Sequence, residues 1–245
     1  MTKLSVNINK IATIRNARGG NTPNPVQVAI DCQRFGAQGI TVHPRPDERH
    51  ITLRDVYNLK EVVYTEFNIE GYPDERFMKI IRDIRPTQAT LVPDPPHVLT
   101  SNTGWDVIQN EHFLKEIIAA LKEMGVRTSL FLNPDLKQLE KVKNVGADRI
   151  ELFTGLYAEN YRENKEKAII KYHEVSQEAQ KFEIGINAGH DLSLENLTYF
   201  IQKIPQIDEV SIGHALISDA LYLGLENTIQ RYLYEIEKGH QIEFK

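Results

Sequence analysis

An α/β fold is what this sequence predicts: a single (β/α)8 TIM barrel over residues 1–245, with extra loop or helical elements between its units. Three observations lead there. Eight short apolar segments rich in β-branched residues alternate with longer segments of helical periodicity. Their starts fall roughly 22 to 39 residues apart, the length of one strand plus one helix. The chain also repeats itself weakly. Residues 35–43 and 145–153 share an apolar residue, a Gly-Ala helix exit and an alternating strand, and 124–131 is a looser copy. Glycine at that exit can adopt the left-handed conformation that ends a helix before a tight turn.

In chain order, strands are expected at 4–8, 39–43, 66–70, 88–92, 127–131, 149–153, 183–187 and 209–212. Helices are expected at 25–35, 53–64, 74–84, 110–124, 135–144, 165–181, 193–203 and 215–238. Pro25 suits a first helical turn, and Asp135 and Ser193 stand near helix starts as capping residues. A doubly wound open sheet is the competing arrangement, because periodicity does not report closure. The missing Gly-x-Gly-x-x-Gly after the first strand weakens its dinucleotide-binding form.

Composition narrows the function. The 41% hydrophobic share supplies a core, and 29 basic against 34 acidic residues give a net charge of −5. Nucleic acid is therefore not expected as a partner, since phosphate-backbone binding leaves a basic excess. No run approaches the ~20 apolar residues that span a bilayer. The N-terminus runs into a strand with no signal peptide, so the expected location is cytoplasmic. The one cysteine, Cys32, lies in an apolar run and reads as core rather than nucleophile.

Barrels place their chemistry at the carboxyl ends of the strands, and here those ends are polar. The first supplies Asn7, Asn9 and Lys10, the second His43 and Arg45, the third Asn68 and Glu70. The seventh supplies Asn187, Gly189, His190 and Asp191, and the eighth Ser211, Gly213 and His214. His43, Glu70 and His190 are acid–base candidates: histidine titrates near neutrality, and burial raises a glutamate toward it. Structural hydrogen bonding is the alternative. Arg45, Arg49 and His50, with Arg15 and Arg18, suit phosphate or form a charge-paired loop. Gly189 and Gly213 allow a phosphate close to backbone N–H groups. The proline-rich stretch 92–105 reads as a lid or as a stiff contact loop, with Trp105 serving either. The histidines lack metal-ligand spacing. Lys10 could form a Schiff base.

Six strings carry a resemblance. They are NINKIATIRNARG from Asn7, GITVHPR from Gly39, RHI from Arg49, LVP from Leu91, INAGH from Ile186 and IGHA from Ile212. In this order and spacing they resemble the pyridoxine 5'-phosphate synthase family over essentially the whole chain. The resemblance implies a (β/α)8 barrel that condenses 1-deoxy-D-xylulose 5-phosphate with 3-amino-2-oxopropyl phosphate. The products are pyridoxine 5'-phosphate, phosphate and water. It implies no metal, no organic cofactor and a homo-octamer. It makes His43 and Glu70 proton acceptors and His190 a proton donor. Arg45, His50 and Thr100 become contacts to the deoxyxylulose phosphate, and Asn7, Arg18, Gly213 and His214 contacts to the amino substrate.

Two departures stand out. Asn9-Lys10 replaces the family's usual Asp-His, still expected at the deoxyxylulose phosphate. Asp191 replaces the usual glycine after the donor histidine; its N–H could still meet substrate, while its carboxylate would have to point away from a phosphate. Two other readings remain. One is a phosphosugar aldolase or epimerase using Lys10, and the other is a catalytically silent barrel sensing a phosphate ester.

Overall fold

The computed structural model describes residues 1–93 and 103–241. Its strands are β1 (Lys3–Asn7), β2 (Gly39–Val42), β3 (Glu66–Gly71), β4 (Gln88–Leu91), β5 (Arg127–Leu132), β6 (Arg149–Phe153), β7 (Gly185–Gly189) and β8 (Glu209–Ile212). They pair in parallel in sequence order, and β8 pairs back onto β1. The sheet is therefore a closed barrel, not an open doubly wound sheet.

The helices around it are α1 (Asn9–Arg18), α2 (Pro25–Arg34), α3 (Leu53–Lys60), α4 (Glu75–Ile84), α5 (Glu111–Glu123), α6 (Leu136–Val145), α7 (Gly155–Lys181), α8 (Leu197–Lys203), α9 (His214–Leu223) and α10 (Leu225–His240). Local chemistry sets their ends. Asn24 accepts from Val26 N–H ahead of Pro25, Asp135 caps α6, and Thr52 and Asp55 form a reciprocal capping box on α3. Gly36, Gly125 and Gly146, the three helix exits of the repeat, all have positive φ.

Three helical features depart from the sequence reading. Residues 9–18, read as a strand end and loop, form α1. Its buried face is Ile11, Ala12 and Arg15, and the arginine masks the apolar stripe. The helix expected at 165–181 has an added arm before it: α7 breaks at Asn164 (φ −158°, ψ 90°), whose side chain caps the second arm through Lys167 N–H. The helix expected at 215–238 is two, parted at Gly224 (φ +79°). The seventh strand lies two residues later than expected, which puts Asn187 in its middle rather than at its end.

Strand alternation divides the interior into two environments. Leu4, Ile40, Ile69, Leu91, Ile150 and Val210 belong to the apolar core that the helices cover. The opposite face is polar. Ser5 bonds Thr41 (2.7 Å), Thr41 accepts from Asn68 (3.4 Å), and Asn68 accepts from Thr90 (3.0 Å). Gln88 donates to Thr90 (3.3 Å) and accepts from Asn187 (3.4 Å). This chain runs around the inside of the barrel, where branched apolar residues usually dominate. At the amino-terminal ends of the strands, Glu66 is held by Lys3 and Arg127. Cys32 is buried, and burial, with Asp31 beside it, pushes its thiol up to about 12, as expected of a core residue.

Candidate active site

The polar inner face continues upward into the barrel mouth, which gathers most of the expected residues. Asn7, the last residue of β1, donates from Nδ2 to Glu70 Oε2 at 3.3 Å and accepts from Asn9 N–H at 3.1 Å. Asn9 in turn accepts from the His43 N–H at 2.9 Å, so its amide fixes the start of the β2 loop. His43 Nδ1 lies 3.9 Å from Glu70 Oε2, too far for a direct hydrogen bond. The His43 and His50 rings meet edge-on, 6.3 Å between centroids. Arg45 is buried beside them, and a cleft lined by His43, Arg45, Tyr72 and Arg76 opens alongside.

Electrostatics separates these groups by role. Burial pushes Glu70 up to about 7; the charges of His190 and Arg45 and the Asn7 hydrogen bond oppose that rise. Burial, then the positive Arg45, His50 and Arg49, hold His43 well below the usual histidine range. It is therefore neutral at pH 7. His50 falls to about 4, first through burial and then through Arg45, Lys10 and Arg49. Both histidines titrate lower in the fold than unfolded, so their stabilising contribution is complete above about 6.5 and falls away with decreasing pH. Thermal unfolding between pH 7 and 4 is expected to show a falling Tm. His50→Gln should flatten that slope; an unchanged slope would contradict the assignment.

Glu151, on the inner face of β6, is a member that sequence reasoning missed. It is buried, Oε2 is unbonded, and burial with Glu70 and Glu209 nearby raises its carboxyl well above the ordinary range. Burial and the nearby carboxylates thus favour its protonated form, which limits the negative charge near Glu70. The available signal was a glutamate at the centre of the strand, between Ile150 and Leu152.

The β7 and β8 ends complete the rim. His190 follows β7, its Nδ1 2.8 Å from Asp191 Oδ2. The Asp191 N–H, expected to meet substrate, instead donates to Gly189 O (3.1 Å) and Thr154 Oγ1 (3.2 Å). Gly189 is required by space: a Cβ there would lie 2.7 Å from Ser211 O and 3.0 Å from Glu151 Oε1. Gly189→Ala is expected to cost about 1–3 kcal/mol, measured by urea unfolding; a neutral result would contradict this packing. Gly213 packs its α-carbon against Asn7 and precedes α9, which has no side-chain cap. The first α9 N–H groups, with His214 exposed among them, lack intrahelical partners, an arrangement that suits an anion.

The remaining expected residues are dispersed around this cluster. Arg18 is exposed at the far end of α1, about 13 Å along the axis from Asn9. Lys10 is exposed on α1, close enough to His50 to depress its titration. Arg15 is not a phosphate contact: buried, it pairs with Asp55 (2.6 and 2.8 Å) and donates to His50 O (3.2 Å), bracing the β2 loop. Thr100 and the lid expected around it lie outside the described residues. Trp105, just past them, is buried, donates to Leu91 O (2.9 Å) and stacks on Tyr72. Among the described residues no group of three His, Cys, Asp or Glu is placed to hold a metal.

Comparison with known proteins turns this geometry into a family. The model of the pyridoxal phosphate biosynthesis protein PdxJ matches residues 4–238. The chain belongs to the PdxJ family. It is 58% identical over 238 residues to pyridoxine 5'-phosphate synthase of Cytophaga hutchinsonii, covering 97% of this chain and 100% of that one. The same-named protein of Bacteroides thetaiotaomicron is 59% identical over 232 residues, covering 95% and 98%. PdxJ-family membership is matched by wider likeness in fold. Phosphoribosylanthranilate isomerase of Thermotoga maritima superposes with TM-score 0.61 at 12% identity, covering 97% of this chain and 99% of that one. Ligand-free tryptophan synthase from M. tuberculosis gives 0.64 at 13%, covering 98% and 94%. At such identity the likeness is one of barrel architecture alone.

Proposed function

We propose that this PdxJ-family chain is a pyridoxine 5'-phosphate synthase, joining 1-deoxy-D-xylulose 5-phosphate to 3-amino-2-oxopropyl phosphate. Pyridoxine 5'-phosphate forms with loss of phosphate and water. The observation that carries the reading beyond family membership is the cluster in the mouth: a neutral His43, a Glu70 titrating near 7, and His190.

The chemistry needs that variety. The amine of one substrate condenses with the ketone of the other, and the carbonyl oxygen leaves as water after gaining a proton. Phosphate loss, ring closure and aromatisation then move protons at further atoms. His43 and Glu70 accept protons, and His190 donates. Glu70 is the adaptable member, since a group near 7 gives and takes protons at equal cost at neutral pH. Arg45 and His50 suit one phosphate, and Gly213, His214 and the α9 end suit the other. The ring nitrogen comes from the amino substrate, so no enzyme amine is needed and Lys10 serves as a cation at the mouth.

The reading takes residues 1–245 as one barrel domain working in the cytoplasm without metal or organic cofactor. No helix of the described residues is long and apolar enough to cross a membrane. Assembly as a homo-octamer belongs to the same reading, and Leu221 and Tyr222 on α9, 73% and 90% exposed, are groups a subunit contact would cover.

The test is turnover of purified protein with both substrates, following the product's ring absorbance. Product only when both are present supports the synthase. A borohydride-trapped adduct on Lys10 without ring product would favour the aldolase reading, and binding without turnover the sensor.

A further inference from the structure

Asp191 sets a carboxylate beside the proposed proton donor, and nothing in the reaction described so far uses it. His190 is the central residue of a tight turn: its φ is +75°, and the Asp191 N–H returns to the Gly189 carbonyl at 3.1 Å. A side-chain-bearing residue in this left-handed γ-turn is strained. Neighbours hold it there. Thr154 Oγ1 accepts from the same N–H at 3.2 Å, and Asn196 Nδ2 donates to the Asp191 carbonyl at 3.2 Å. With its backbone held on both sides, the Asp191 side chain has only its own two torsions with which to aim. It aims back at the preceding ring, Oδ2 2.8 Å from Nδ1. Phe153 closes on that ring edge-on at 5.5 Å. Glu70 reaches His190 only through space, so Asp191 is the carboxylate that bonds it.

A carboxylate accepts and does not donate, so the shared proton sits on Nδ1 and Nε2 is left for chemistry. We propose that Asp191 is a positioning residue for the reaction: it locks neutral His190 in the Nδ1–H tautomer and one orientation, so that Nε2 takes up a proton from solvent, forming an imidazolium that the carboxylate stabilises, and passes that proton to the substrate. The role rests on the proposed function of His190. It also accounts for a charged side chain beside a phosphate-handling site, because that charge is turned onto the imidazole.

The experiment pairs imidazole 15N NMR of the free protein with steady-state kinetics, in wild type and Asp191→Ala. The expected wild-type signal is the Nδ1–H form. The alanine variant should move toward the Nε2–H form, with kcat down about 10- to 100-fold and both KM values within about twofold. A His190 that stays Nδ1–H in the variant overturns the proposal, as does a tautomer switch with unchanged kcat. Asp191→Asn keeps the side-chain shape and stands in if the alanine variant does not fold. It should weaken the tautomer preference and lower kcat; unchanged tautomer and kcat overturn the proposal. The NMR needs no turnover. A wild type that makes no product would therefore refute the synthase reading while the tautomer result still decides the role of Asp191.

Discussion

Glu70→Gln is expected to lower kcat by about 10²- to 10⁴-fold, the usual scale for losing a positioned acid–base group, and at the same time to stabilise the fold at alkaline pH. The carboxyl titrates near 7 in the fold against an ordinary 4.5, chiefly through burial. Between those values the native state binds more protons than the unfolded chain. Stability contributed by this group therefore declines as pH rises through the window and is lowest above 7. Glutamine, which never ionises, removes the decline. The variant should gain about 1–3 kcal/mol over wild type at pH 8 and almost nothing at pH 4. Urea unfolding at both values, beside kcat at pH 7.5, checks the pair of effects. Retained activity, or equal stabilisation at both pH values, would contradict the account.

Asp55→Ala is the second large effect, expected to cost about 3–5 kcal/mol because it leaves the buried Arg15 guanidinium without its carboxylate. The side chains of Arg15 and Asp55 are only 7% and 9% exposed, so solvent cannot replace the partner. Asp55 also completes the α3 capping box with Thr52, and Arg15 holds the His50 carbonyl. Loss of the pair should loosen the segment carrying Arg45 and His50, raising KM as well as lowering Tm. Arg15→Met combined with Asp55→Leu removes both charges together and should cost less than Asp55→Ala alone. A double variant as unstable as the single would refute the argument.

Much of this architecture was legible in the sequence because period-2 alternation served both faces of every strand. Arg149-Ile150-Glu151-Leu152-Phe153 shows how: Ile150 and Leu152 join the apolar core under the helices, while Arg149, Glu151 and Phe153 share the inner face, Phe153 against the His190 ring. His43, Glu70 and Asn7 were found because they are polar residues at the carboxyl ends of strands, and the structure puts them on the inner register that leads into the mouth. Less was legible wherever a polar group is satisfied by a partner distant in sequence. Arg15 read equally as a phosphate contact or as part of a charge-paired loop until Asp55, 40 residues on, accounted for it. The same arginine hid α1 by breaking its apolar face. Glu151 was overlooked because its burial, and the nearby Glu70 and Glu209 that raise its carboxyl further, exist only once the sheet has closed. The orientation of the Asp191 carboxylate depends on a backbone turn that no local pattern announces.

The most direct test of the central claim is a single-turnover reaction of wild-type protein with both phosphorylated substrates, followed by 31P NMR. Pyridoxine 5'-phosphate and inorganic phosphate should appear in equal amounts, with neither formed when one substrate is left out. Phosphate released without the ring product, or no product while both substrates are bound, would contradict it.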